Sequence, residues 1–103
     1  MYRVLREAIS RLSELTNISA GLSHPLDESR AKELFRALHL EGVTLDYTSI
    51  KNLALENHWP DHHATELAEL GQKIGAGSRV AVKHPSGWGE QTVREIMAKI
   101  KQS

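Results

Sequence analysis

The stretch IKNLALENHWPDHHATEL, residues 50–67, decides how this 103-residue chain is built. Ile50, Leu53 and Ala54 before it breaks, and Ala64 and Leu67 after, keep the 3–4 spacing of one helical face. Between them stand Asn57, His58, Trp59 and Pro60. Proline is excluded from a helix interior but accepted at its first position, where its missing N–H is not needed. Pro60 is therefore expected to open a new helix, with Trp59 anchoring the corner.

The same stretch holds three of the chain's six histidines, which raises the question of a metal site. Two imidazoles share a helix face at i, i+4 spacing. His58 and His62 have that spacing, but Pro60 lies between them. His62 and His63 are about 100° apart around a helix and do not point together. His63 falls in line with Leu67, Leu70 and Ile74 and is expected to edge the core, whereas His62 aligns with Glu66, Glu69 and Lys73 outside. A site from His58, His62 and Glu66 is conceivable, but it has neither cysteine nor HExxH-type spacing behind it. The expectation is no metal and no cofactor.

Outward from this corner the periodicity stays helical. Upstream, Tyr47, Ile50, Leu53 and Ala54 form one stripe, capped by Asp46 or Thr44. A preceding helix begins near Asp27, carries Ala31, Leu34, Phe35 and Leu38, pairs Glu28 with Lys32 and stops at Gly42. The first helix presents Leu5, Ala8, Ile9, Leu12 and Leu15, and Gly21 and Pro25 in NISAGLSHPLD end it. Downstream, Ala64, Leu67, Leu70 and Ile74 define a helix ending at Gly75. Val80 and Val82 alternate with polar neighbours and allow a short strand. A last helix carries Val93, Ile96, Met97 and Ile100. The expected fold is all-α, a single small domain (1–103) of about five helices, with one short extended or loop segment near 77–88.

Composition bounds the function. With 40% hydrophobic and 25% charged residues the chain is an ordinary globular sequence. No cysteine means no disulfide and no thiolate metal site, and suits a reducing cytosol. MYRVLREAIS lacks the apolar core of a signal peptide, and no run approaches the roughly 20 apolar residues of a membrane span. A cytoplasmic protein without a membrane partner is expected. Basic and acidic residues balance at 13 each, yet residues 41–70 carry a net of −5 and residues 71–103 a net of +4. Such asymmetry serves either two partner surfaces or two faces that pack together.

Residues 50–67 resemble the helix–turn–helix families of DNA-binding proteins. Leu53, Ala54, Trp59, Ala64 and Leu67 occupy the places where that pattern wants apolar or small residues. The usual glycine of the turn is His58, and Asn57 stands at a commonly apolar place. The would-be recognition helix shows Asp61, His62, Thr65, Glu66 and Glu69 outward, a face that repels phosphate.

GQKIGAGSRVAVKHPSGWG, residues 71–89, combines five glycines with Lys73, Arg79, Lys83 and His84. It matches neither nucleotide-binding glycine motif. Trp88, flanked by glycines beside basic residues, reads either as core or as a contact anchor. Arg79, Lys83, His84, Trp88 and Arg94 are the candidate binding residues. No nucleophile elbow or other catalytic motif occurs, so an enzyme is not expected.

The block from Ala37 to Gly89, with its phrases HWP and KHPSGWG, resembles small all-helical bacterial proteins of unknown function. That resemblance implies a helical bacterial protein and no activity. The function expected is a binding module for another protein. Nucleic-acid binding through the helix–turn–helix-like pair or the basic C-terminal side is the alternative, and self-association is left open.

Overall fold

Helix α3 (Tyr47–Glu56) and helix α4 (Asp61–Gly75) meet at the corner around Pro60. The computed structural model describes residues 2–16, 28–77 and 87–102. Helix α3 closes with two reaching hydrogen bonds. The His58 N–H donates to the Leu55 carbonyl and the Trp59 N–H to the Ala54 carbonyl, both at 3.1 Å. This satisfies carbonyls that a helix end otherwise leaves unpaired, and it requires one left-handed residue. His58 supplies it with φ of 66°, the sole non-glycine residue described with positive φ. Gly42 does the same after helix α2 (Glu28–Leu40), with φ of 81° and the Val43 N–H on the Leu38 carbonyl at 3.0 Å.

Pro60 sits one residue earlier than the sequence suggests. It is the cap of α4 (φ −57°, ψ 147°), and its carbonyl accepts from the Ala64 N–H at 2.9 Å. Its extended ψ swings the chain out of the turn before the helix begins, and the ring's fixed φ permits this as well as a helical ψ. Asp61 becomes the first helical residue, its carboxylate at the positive end of the helix dipole. At the start of α3 the cap is Asp46 rather than Thr44, accepting from the Ser49 N–H at 3.1 Å.

Helix α1 (Tyr2–Thr16) and helix α5 (Trp88–Gln102) complete five helices, with no strand among the described residues. The expected loop does not reach Trp88. Gly87 turns the chain at φ of 80°, and its carbonyl takes the Gln91 N–H at 3.1 Å, so Trp88 is already helical. The cap proposed at Asp27, the alternation of Val80 and Val82, and the side chains of Leu15 and Glu28 lie outside the described residues.

The apolar stripes converge as their spacing requires. Leu5, Ala8, Ile9 and Leu12 of α1 are buried with Leu34, Phe35 and Leu38 of α2 and Leu53, Leu67, Val93 and Ile96 of the others. Tyr47, Leu70, Met97 and Ile100 pack at the edge, partly buried. Val43 and Leu45, in the link between α2 and α3, are buried too. Neighbouring helices form a closed circuit, α1 against α3, α3 against α4, α4 against α2, α2 against α5 and α5 against α1, with α1 also touching α2.

Two glycines let helices approach closely. A Cβ on Gly89 would lie 2.5 Å from the Glu33 carbonyl carbon, so α5 starts directly on the backbone of α2. A Cβ on Gly71 would strike Ile50 and lie 3.4 Å from Phe35. The corner is tied to α1 through polar atoms. Trp59 is 3% exposed, and its indole N–H donates to Ser13 Oγ, whose hydroxyl donates to the Ile9 carbonyl at 2.8 Å. A buried indole N–H needs such a partner.

Candidate binding clefts

Helix α5 borders a hollow on each side. Against α1 it forms a shallow cleft of about 380 Å³ lined by Arg11, Glu14, Trp88, Gln91, Thr92 and Glu95. Against α2 it forms a furrow of about 320 Å³ lined chiefly by Glu33, Arg36, Ala37, Leu40 and Glu90. A smaller hollow of about 120 Å³ continues it past Leu40, Val93 and Arg94.

The α1–α5 cleft owes its walls to helical spacing. Trp88 and Glu95 each lie three or four residues from the adjacent pair Gln91 and Thr92, so all four share one side of α5. Arg11 crosses from α1 and donates to Glu95 Oε2 at 2.8 Å, pinning the two helices together at one end. Both side chains are part-exposed, so the pair contributes about 0–1 kcal/mol and serves geometry more than stability. Trp88 is half-buried and packs against the core while forming part of the cleft wall. Its ring packs against the core with part of it left exposed at the cleft.

The sequence candidates do not form one site. Trp88 belongs to the α1–α5 cleft, whereas exposed Arg94 lines the hollow on the α2 side. The reason is angular, since Arg94 is six residues beyond Trp88 and about 120° from it around α5. Arg79, Lys83 and His84 lie outside the described residues.

The histidine corner offers no converging ligand set. His58 and His62 are exposed, and His62 turns its ring towards His63, with centroids 4.0 Å apart. His63 is mostly buried, as its alignment with the core stripe implied, with its Nδ1 3.6 Å from Glu66 Oε2. That separation is too long for a hydrogen bond, and Nδ1 has no partner among the described residues. No group of three His, Asp or Glu side chains among the described residues is arranged to hold a metal ion. On the same corner Leu53, Ala54, Trp59, Ala64 and Leu67 are all buried, and His58 takes the left-handed backbone that the helix–turn–helix pattern gives to glycine. The outward side of α4 carries exposed Asp61, Glu66 and Glu69.

The sequence matches, over residues 1–97, the family described as a domain of unknown function, DUF1889. The chain belongs to that family. The match takes in every residue lining the clefts of the DUF1889 domain and stops before the last residues of α5. No solved structure matches the chain. No helix among the described residues is long and apolar enough to cross a membrane.

Two features of this DUF1889 domain were missed by pattern reading. Ser13, one turn after Ile9 and absent from the apolar stripe, is 3% exposed, because Trp59 arrives over it from 46 residues away. Leu40 is 80% exposed. A signal for it existed, since Leu40 is about 200° around the helix from Leu38 and so off the α2 stripe.

Proposed function

We propose that the domain is a non-enzymatic binding module of the bacterial cytoplasm whose partner is another protein. The observation that carries this reading is the half-buried Trp88 in the wall of the α1–α5 cleft, among Arg11, Gln91 and Glu95. Aromatic side chains held rigid by their own core packing are good anchors, since little side-chain entropy is lost on contact. The surrounding charges and amide supply the directional contacts that fix a partner's orientation. The absence of cysteine fits a reducing compartment.

The test is capture of partners from the lysate of the source organism by tagged wild-type and Gln91→Arg chains. Gln91 is exposed, so the substitution fills the cleft mouth without touching the core. A specific protein retained by the wild type and lost with Gln91→Arg is the expected result. Retention that ignores Gln91→Arg and Glu95→Lys overturns the reading.

Nucleic-acid binding is the second reading, favoured by one observation, the left-handed His58 in a helix–turn–helix-like corner. It is opposed by Asp61, Glu66 and Glu69 on the face that would meet phosphate. Binding to mixed oligonucleotides that weakens steeply with salt supports it, and no binding at low salt removes it.

A further inference from the structure

The α2–α5 furrow presents a knob and a hole on one patch. Leu40 projects at the end of α2 as the most exposed large apolar side chain described. Beside it the furrow is floored by small residues, Ala37, Gly87 and Gly89, which leave about 320 Å³ open. That is room for a leucine side chain. The rim carries both signs on both walls: α2 and its cap bring Glu33, Arg36 and Glu41, and α5 brings Glu90 and Arg94.

From this geometry we propose that two copies of the chain pair across a two-fold axis, the Leu40 of each seated in the α2–α5 furrow of the other. In a two-fold contact the same patch must complement itself, so each knob needs its hole and each cation its anion within that patch. A partner of one dominant charge would call for a rim of the opposite sign, and this rim has none. The chain's net charge of zero removes long-range repulsion between copies. Seating Leu40 turns its exposed surface into buried surface on both copies, in the way that interhelical knobs fill holes. The patch is separate from the α1–α5 cleft, so pairing leaves Trp88 accessible to a different partner.

Sedimentation equilibrium of the full chain tests the proposal. A species of twice the 11.5 kDa chain mass is expected to grow with concentration. Leu40→Lys removes the knob from an exposed position and is expected to weaken pairing about tenfold or more while leaving the helical circular dichroism unchanged. Glu90→Arg and Arg94→Glu are each expected to weaken pairing. A monomer at every concentration up to about 1 mM overturns the proposal. So does a dimer whose affinity is indifferent to Leu40→Lys.

Discussion

The seat of α5 on α2 can be measured through a single methyl group. In Gly89→Ala the new Cβ would stand 2.5 Å from the Glu33 carbonyl carbon, 2.6 Å from its oxygen and 2.8 Å from the Leu34 nitrogen. All three are backbone atoms of a helix, so no rotamer change relieves the clash. To reach ordinary contact the start of α5 must retreat by roughly 1 Å, a gap that forfeits a quarter to a half of each dispersion contact across it. Overpacking of this kind destabilises by about 1–3 kcal/mol, and alanine's better helix propensity returns less than about 1 kcal/mol so near the helix end. The expected net loss is about 2 kcal/mol, a fall in Tm of roughly 8–16 °C for a domain of this size. Gly71→Ala is the internal comparison. There the new atom meets the end of the Ile50 side chain, which can turn aside, and the mid-helix propensity gain is full. Its loss should be smaller, about 1 kcal/mol. Urea unfolding followed by circular dichroism reads both. If Gly89→Ala unfolds within about 0.5 kcal/mol of wild type, or Gly71→Ala is the more damaging, the backbone-contact argument is wrong.

Two further outcomes follow from the α3–α4 corner. Ser13→Ala strands the buried Trp59 indole N–H and should destabilise by about 1–3 kcal/mol, with a change in tryptophan emission; Ser13→Thr, which keeps a hydroxyl, should recover part of the loss. His58→Gly relieves a left-handed backbone of roughly 1–2 kcal/mol and adds unfolded-state freedom of roughly 0.5–1 kcal/mol, so it should stabilise by about 0.5–1 kcal/mol in chemical denaturation. A destabilised His58→Gly would mean that the imidazole makes a contact worth more than the strain.

Much of the helical framework is written in local pattern. Each stripe repeats every three or four residues, and burial of one helical face is the only arrangement that hides such a stripe from water. The stops are local too: Gly42 and Gly77 take left-handed backbone at 81° and 86°, which residue type alone suggests. His58 breaks that rule. Its φ of 66° is imposed by the corner, where Trp59 must follow α3 at once to reach Ser13. The helix–turn–helix pattern put His58 in the glycine's place, but its residue type did not indicate that it would take left-handed backbone there.

The candidate site was far less legible. Trp88 and Arg94 stand close in sequence and share a basic, glycine-rich neighbourhood, yet helix geometry sends them to opposite hollows of α5. Arg11 and Glu95 meet across 84 positions, and Ser13 and Trp59 across 46. By itself the sequence determined five helices, their apolar faces and most of their ends, because these depend on neighbours within a turn or two. Only the tertiary structure decided which helices share a cleft and that Gly89 lies on the Glu33 backbone. Those depend on which face of one helix meets which face of another, a choice made by the whole core at once.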